Sequence, residues 1–236
     1  MSTIPQDPSD PPPEHPTLSR ERIVRAAVAL VDEEGLGALS MRALGARLGV
    51  EAMALYRHVD GREDLLEAVV DMLTSAIPSA AEMDLGPGGG WQAYLLQLGH
   101  EIRALAEAHP QLFPLVATRH PAAPWLRPPL RSLTTVEDFL STLTRFGFEE
   151  DRAVAAYRSF TSFLVGQLLL EVAQRGAPTT AVAPQTEEED PGDDDALSEY
   201  PMVHRLQGEL SEDRSDEEFA RGLEHLLDRI ERHIPG

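Results

Sequence analysis

The chain has neither cysteine nor lysine. Without thiols, disulfides and thiolate nucleophiles are excluded, and the composition agrees with a cytoplasmic location. Without lysine, all 20 basic side chains are arginines, so any clamp on phosphate is built from guanidinium groups, backbone N–H groups or neutral donors. No apolar run approaches the roughly 18 residues of a transmembrane helix, which excludes a membrane span. The N-terminus shows no basic start followed by an apolar stretch, which argues against secretion. There is no Gly-x-Ser-x-Gly elbow, phosphate-binding loop or His-Glu-x-x-His pair, and an enzyme on a helical bundle would need a constellation of that kind. His100, His109 and His120 fall at wide, irregular intervals and lack the spacing of metal ligands. Neither a metal nor a cofactor is expected.

What is present is a chain of 236 residues, 42% hydrophobic, enough for one large or two modest domains with a packed core. Its net charge of −20 argues at first against nucleic acid, because phosphate contacts supply much of the affinity for DNA. The charge is unevenly spread. Between Leu18 and Arg62 seven arginines stand against six acids, and the acidic excess lies in the tails and the C-terminal part. A near-neutral head on an acidic body is compatible with DNA binding.

Residues 1–17 carry Pro5, Pro8, Pro11, Pro12, Pro13 and Pro16 with little that is apolar, the composition of a disordered arm. Asp7, Asp10 and Glu14 without an arginine argue against a minor-groove role for it. Ser19 then reads as an N-cap, Leu18 and Ile23 as a hydrophobic staple, and Ile23, Ala27, Leu30 and Val31 as the inward stripe of a helix over 20–34 closed by Gly35. Ser40 caps a second helix from Met41, with Leu39 and Leu44 as its staple, Leu44 and Leu48 inward, and Gly49 as a left-handed C′ residue. Past that turn, Val50 is the inward anchor, and 52–58 forms a third short helix with Leu55 and Val59 inward. Two short helices joined by a glycine turn are the helix-turn-helix layout. Asp60 and Glu63 have the spacing of a capping box for a fourth helix, whose Leu66, Val69, Val70, Leu73 and Ile77 form a stripe before Pro78.

The C-terminal part reads as helices over 91–109, around 113–117, 130–145 and 149–174, then a Pro- and acid-rich mobile loop at 176–200, then a helix from Ser215 capped with Glu218. The 149–174 helix is apolar on more than one face. The last helix has a seam of Phe219, Leu223, Leu226, Leu227, Ile230 and Ile234. Pairing that seam with the spare face of 149–174, over helices 149–174 and 216–234, predicts a homodimeric four-helix bundle across a twofold axis.

The runs Leu48-Gly49-Val50-Glu51, Ala54-Leu55-Tyr56-Arg57-His58-Val59 and Gly61-Arg62-Glu63-Asp64-Leu65-Leu66 resemble the DNA-binding head of the tetracycline-repressor (TetR) family. Trp91-Gln92, Thr118-Arg119, Phe146-Gly147-Phe148 and Gly222-Leu223-Glu224 resemble, in order, its C-terminal domain. The resemblance implies an all-α protein: a three-helix helix-turn-helix head over 18–77 and a ligand-binding and dimerisation body over 78–236. It also implies a palindromic double-stranded DNA operator and a small-molecule effector. It places Ala52, Met53, Ala54 and Arg57 toward base edges, with Arg42 also reaching bases, and Ser40, Tyr56, His58 and Arg62 toward phosphates. Arg62 stands where the family usually has lysine. Two alternatives stay open on the residues alone: Tyr56 packs mainly against the first helix, and Arg47 and Arg57 are simply solvated.

For the effector, the resemblance suggests Leu98, Ile102, Phe113, Leu115, Trp125, Phe139, Phe160 and Gln167 as pocket lining, each of which also reads as ordinary core. The family's polar and imidazole ligands for tetracycline and magnesium correspond here to Leu98 and to the Leu115–Val116 step, although Glu171 falls near the family's body-helix acid. An apolar or aromatic effector is therefore the expectation. The function implied is a repressor released from DNA by such a ligand. An activator or ligand-independent binder of the same fold is the alternative, and a helical-bundle enzyme the remote one.

Overall fold

The computed structural model describes residues 17–86, 89–119, 123, 125–177 and 199–232. The Pro-rich arm up to residue 16, the acidic tract at 178–198, His120 and Ile234 lie outside the described residues. Those described form helices, with an isolated β-bridge between Arg127 and Leu130 and no β-strand. They divide into two compact units at Val69/Val70.

In the first unit, α1 spans Arg20–Glu34, α2 Met41–Leu48 and α3 Ala52–Leu55, and α4 begins at Arg62 and runs to Ser75, across the division. The caps follow the side-chain chemistry. Ser19 Oγ accepts from the Arg22 N–H at 3.2 Å and Ser40 Oγ from the Ala43 N–H at 3.1 Å, each supplying an acceptor to a first-turn donor that has none within the helix. Gly49 takes a left-handed φ of 70° and returns the chain. The α1 stripe is buried and is wider than its periodicity suggested, including Val24 and Val28. Val50 and Leu48 are only partly buried.

Two local expectations are corrected. The third helix is shorter than 52–58: after Leu55 the chain tightens into turns, with the His58 N–H on the Leu55 carbonyl at 2.9 Å. At the start of α4 the carboxylate that reaches back to the Asp60 N–H, at 2.9 Å, belongs to Asp64 and not to Glu63. Glu63 is exposed.

The second unit continues with α5 (Trp91–Ala108), α6 (Phe113–Thr118), α7 (Leu133–Arg145), α8 (Glu150–Gln174), α9 (Pro201–Leu210) and α10 (Ser215–Glu231). Pro114 lies in the first turn of α6, where a missing N–H costs nothing. The α7 helix starts three residues later than predicted because Ser132 caps it, accepting from the Thr135 N–H at 3.0 Å. Leu130 is fully buried in the preceding turn, held by the Tyr157 hydroxyl, which donates to its carbonyl at 3.1 Å. The sequence reading did not anticipate α9. None of its residues is buried.

The core of this unit is one cluster drawn from α5, α6, α7, α8 and α10. By length and a mean hydropathy of 1.3, α8 passes for a membrane span, although it contains no long uninterrupted apolar run. Its Tyr157, Phe160, Leu164, Leu168 and Val172 are instead buried in this cluster. The α10 seam is also corrected: Phe219, Leu223, Leu227 and Ile230 are buried within their own chain, packed with α5 and α8. The seam as a whole is therefore not free to pair with a second copy. At the start of α10, Ser215 is not the cap. Asp213 Oδ1 accepts from the Ser215 N–H at 3.1 Å, so the acceptor lies two residues earlier than predicted.

Candidate nucleic-acid interface

The helix-turn-helix depends on one close approach. A β-carbon at Gly45, on α2, would lie 2.8 Å from the Val50 carbonyl oxygen and 3.2 Å from the Ala52 nitrogen. Only a residue without a side chain lets α2 cross the start of α3 at this distance. Gly45 sits one turn before the better-marked Gly49 and was not singled out from sequence, because a glycine inside a helical pattern does not show what it approaches.

Crossed in this way, the short α3 presents its outer side to solvent. Met53 is 74% exposed and Tyr56 47%. Arg57 is exposed, and Ala52, Ala54 and His58 are partly buried. Leu55 and Val59 are buried and anchor the inner side. At 47% exposure, Tyr56 leaves about half of its surface open. Arg42 and Ser40, at the front of α2, are exposed, though the Ser40 hydroxyl is already accepting from Ala43. The Arg62 side chain is half exposed, and its Nε donates to the Leu39 carbonyl at 3.4 Å, which tethers α4 to the loop ahead of α2. Arg47 is exposed but paired: its guanidinium is bidentate to Glu33 of α1 at 2.7 and 2.5 Å. The hydrogen bond from Arg47 holds the Glu33 carboxyl below its ordinary range.

A second ion pair crosses the head. Arg20, at the start of α1, donates through both terminal nitrogens to Asp64 at 2.7 Å and also to the His58 carbonyl at 3.0 Å. Hydrogen bonding from Arg20, then from the Asp60 N–H, lowers the Asp64 pKa to about 2.

In the body, the structure gathers Leu98, Ile102, Phe113, Phe139 and Phe160 into one buried core. Leu115 and Gln167 are partly buried. Trp125, at 65% exposure, stands outside it. Phe139 is the hub, with ring centroids 6.2 Å from Tyr94 and 5.7 Å from both Tyr157 and Phe160. Burial pushes the Tyr94 and Tyr157 hydroxyls above the ordinary phenol range. Glu171, 3% exposed, is engaged by Arg103 of α5, whose Nε and terminal nitrogen each donate at 3.1 Å, and by Arg175 at 2.9 Å. Arg103 also reaches Asp216 of α10 at 2.5 Å and lies 5.0 Å from the Phe219 ring centroid. This buried cluster was missed from sequence. Its members are 68 and 113 positions apart, and Arg103 looks like a solvated charge beside the stripe.

Residues 23–69 match the family described as bacterial regulatory proteins, tetR family. Residues 85–234 match the tetracyclin repressor-like C-terminal domain. The HTH-type transcriptional repressor DrrR1 of Streptomyces coeruleorubidus is 33% identical over 229 residues, covering 92% of this chain and 78% of that protein. Among solved structures, a possible TetR family transcriptional regulator from Streptomyces coelicolor A3(2) superposes with a TM-score of 0.70 at 27% identity, over 91% of this chain and 99% of the other. The Streptomyces coelicolor TetR family protein ActR, in complex with actinorhodin, superposes with a TM-score of 0.66 at 22% identity, over 91% and 96%. With both halves of the chain matched to it and a repressor similar over most of its length, this protein belongs to the TetR family of helix-turn-helix, DNA-binding transcriptional repressors.

Proposed function

We propose that the protein is a cytoplasmic homodimer that represses transcription from a palindromic operator and leaves it when a small apolar or aromatic molecule enters the body. The observation that carries this reading is the exposed outer side of α3, where Met53 and Arg57 stand clear over a buried Leu55 and Val59. Arg57 is suited to bidentate hydrogen bonding with guanine O6 and N7, and Met53 with Ala52 and Ala54 to thymine methyl groups. Arg42 reaches bases from the front of α2. Ser40, Tyr56, His58 and Arg62 contact phosphate, Ser40 and His58 through their exposed edges.

The effector would enter around Phe139, displacing packing among Leu98, Ile102, Phe113, Phe160, Leu115 and Gln167, with Trp125 at the surface end. A fold neighbour is complexed with actinorhodin, which supports an effector site in a body of this kind. The apolar character of Leu98 and Val116, both buried, and the commitment of Glu171 to Arg103 and Arg175 favour an apolar or aromatic ligand over a metal chelate. Because α4 is continuous from Arg62 to Ser75, a shift in the body carried along it would take the two reading helices off the roughly 34 Å spacing, or its multiple, of successive major grooves.

The test is a mobility shift on the DNA flanking the protein's own gene across a salt series. Binding should be tight and salt-sensitive. Arg57→Ala should lose sequence preference, and Arg62→Ala should weaken binding on all sequences while reducing the salt slope by about one. An effector should then lower operator affinity, and failure of any ligand retained by the body to do so removes the release step.

A further inference from the structure

The Arg20–Asp64 pair joins three elements at once. One guanidinium, at the start of α1, is bidentate to a carboxylate in the first turn of α4 and caps the His58 carbonyl that ends the reading segment. The same carboxylate takes the Asp60 N–H. Leu55 and Val59 hold the reading segment from its buried side, and this bracket holds its C-terminal end from the surface. With side chains 47% and 30% exposed, the pair is too solvated to contribute much stability. What a planar, bidentate pair with a further carbonyl acceptor does supply is direction.

We propose that Arg20 and Asp64 are positioning residues for operator recognition: by pinning the His58 carbonyl to α1 and α4 they set the angle at which α3 presents Met53 and Arg57, without themselves touching DNA. The inference rests on α3 being the element that enters the groove. It has a corollary. Asp64 is on α4, so movement of that helix's first turn reaches the reading segment through a guanidinium and not only through apolar contacts.

Charge alone predicts the opposite of this for one variant. Asp64→Asn removes a negative charge from the head and should strengthen binding to any duplex, whereas loss of a positioning contact weakens binding to the right duplex only. The experiment uses the full-length protein. A preferred duplex is first selected from random DNA with the wild type. Affinities for it and for an unrelated duplex are then measured across a salt series for Arg20→Gln, Arg20→Lys, Asp64→Asn and the Arg20→Gln/Asp64→Asn pair, with thermal unfolding of each. The expected result is that both single variants lower the ratio of preferred to unrelated affinity about tenfold, and that the double variant is no worse than the weaker single. Arg20→Lys should fail to rescue, since an ammonium cannot span both carboxylate oxygens and the carbonyl. The salt slope and the unfolding midpoint should stay near wild type.

An unchanged ratio overturns the proposal. So does a slope reduced by about one in the Arg20 variants with Asp64→Asn harmless, which would make Arg20 a phosphate contact. A loss equal on both duplexes and matched by a lower unfolding midpoint would make the pair merely structural, and overturns it too. If the wild type enriches no duplex, the reading of α3 fails and the inference with it, which separates that failure from the others.

Discussion

A β-carbon at position 45 has backbone and not a movable side chain in its way, so the Gly45→Ala variant has no cheap adjustment. Parting α2 from α3 by a few tenths of an ångström should cost about 1–3 kcal/mol, the usual penalty for overpacking, read as a shift in the denaturation midpoint. Operator affinity should fall further than stability alone accounts for, because the crossing also aims the reading segment. Gly49→Ala makes the comparison: it meets nothing within 4 Å but sits at a φ of 70°, so its penalty should be conformational, with a smaller effect on DNA binding. Asp64 supplies a pH dependence of known sign. Its folded pKa is depressed from 3.8 to about 2, so the stability it contributes is complete above pH 4 and is lost as pH falls toward 2. Because the pair is solvated, the stability difference between wild type and Asp64→Asn should be small; what there is should be constant near neutrality and shrink between about pH 4 and pH 2 in thermal unfolding. At this scale the caps were legible, since Ser19, Ser40 and Gly49 act within a few residues of themselves. The bracket of Arg20 with Asp64 was not, because the partners are 44 positions apart and each, alone, is a typical surface charge.

Helices announce themselves through periodicity, and most of those with a buried stripe were placed to within a residue or two, though α3, expected over 52–58, ends at Leu55. The exceptions have physical causes. Leu130 is apolar and buried but belongs to a turn, and the true start of α7 is set by the Ser132 hydroxyl. The α9 helix was missed although its Met202, Leu206 and Leu210 recur at helical spacing; none of them is buried, so the stripe marks no core. The seam of α10 was recognised, but periodicity does not name a partner: it lies against the chain's own α5 and α8. Gly99 and Gly222 allow that packing, with β-carbon positions 2.8 Å from Leu223 and 2.7 Å from the Phe163 ring. The joint between α5, α8 and α10 is fastened by Arg103 and Glu171, whose side chains are 11% and 2% exposed. Glu171→Gln leaves the buried Arg103 guanidinium, among the described residues, with Asp216 and Glu107 as charge partners. It should destabilise the protein by about 3 kcal/mol in chemical denaturation, the lower end for a broken buried pair because those partners remain. Replacing Arg103 and Glu171 together by methionine should restore most of that loss. A double variant as unstable as the single one would mean that the cluster specifies the helix arrangement and does not merely tolerate its own burial.

For the whole molecule, the acidic balance and the proposed assembly bear on the same surface. Once its own chain has buried Phe219, Leu223, Leu227 and Ile230, the outer side of α8 and α10 is left as a groove lined by Arg158, Ser159, Phe163, Gly222, His225, Leu226 and Arg229. Phe163 and Leu226 are its partly buried apolar residues, and the guanidinium groups around them sit on a chain of net charge −20. A twofold contact would set this groove against its own copy, with Phe163 and Leu226 as the shared apolar strip. Leu226→Glu adds an acid to the apolar strip at a residue that is not fully enclosed by its own chain. The variant should keep its helical content and unfold near the wild-type temperature, yet sediment as a monomer at micromolar concentration. Operator affinity should fall at least about a hundredfold, because the second head would no longer be delivered at the high local concentration that linkage provides. The affinity of one head for a half-site should be untouched. A variant that remains dimeric places the twofold contact elsewhere on the body. A variant that becomes monomeric and still binds the full operator with wild-type affinity shows that one head suffices, and removes the spacing of two reading helices from the mechanism of release.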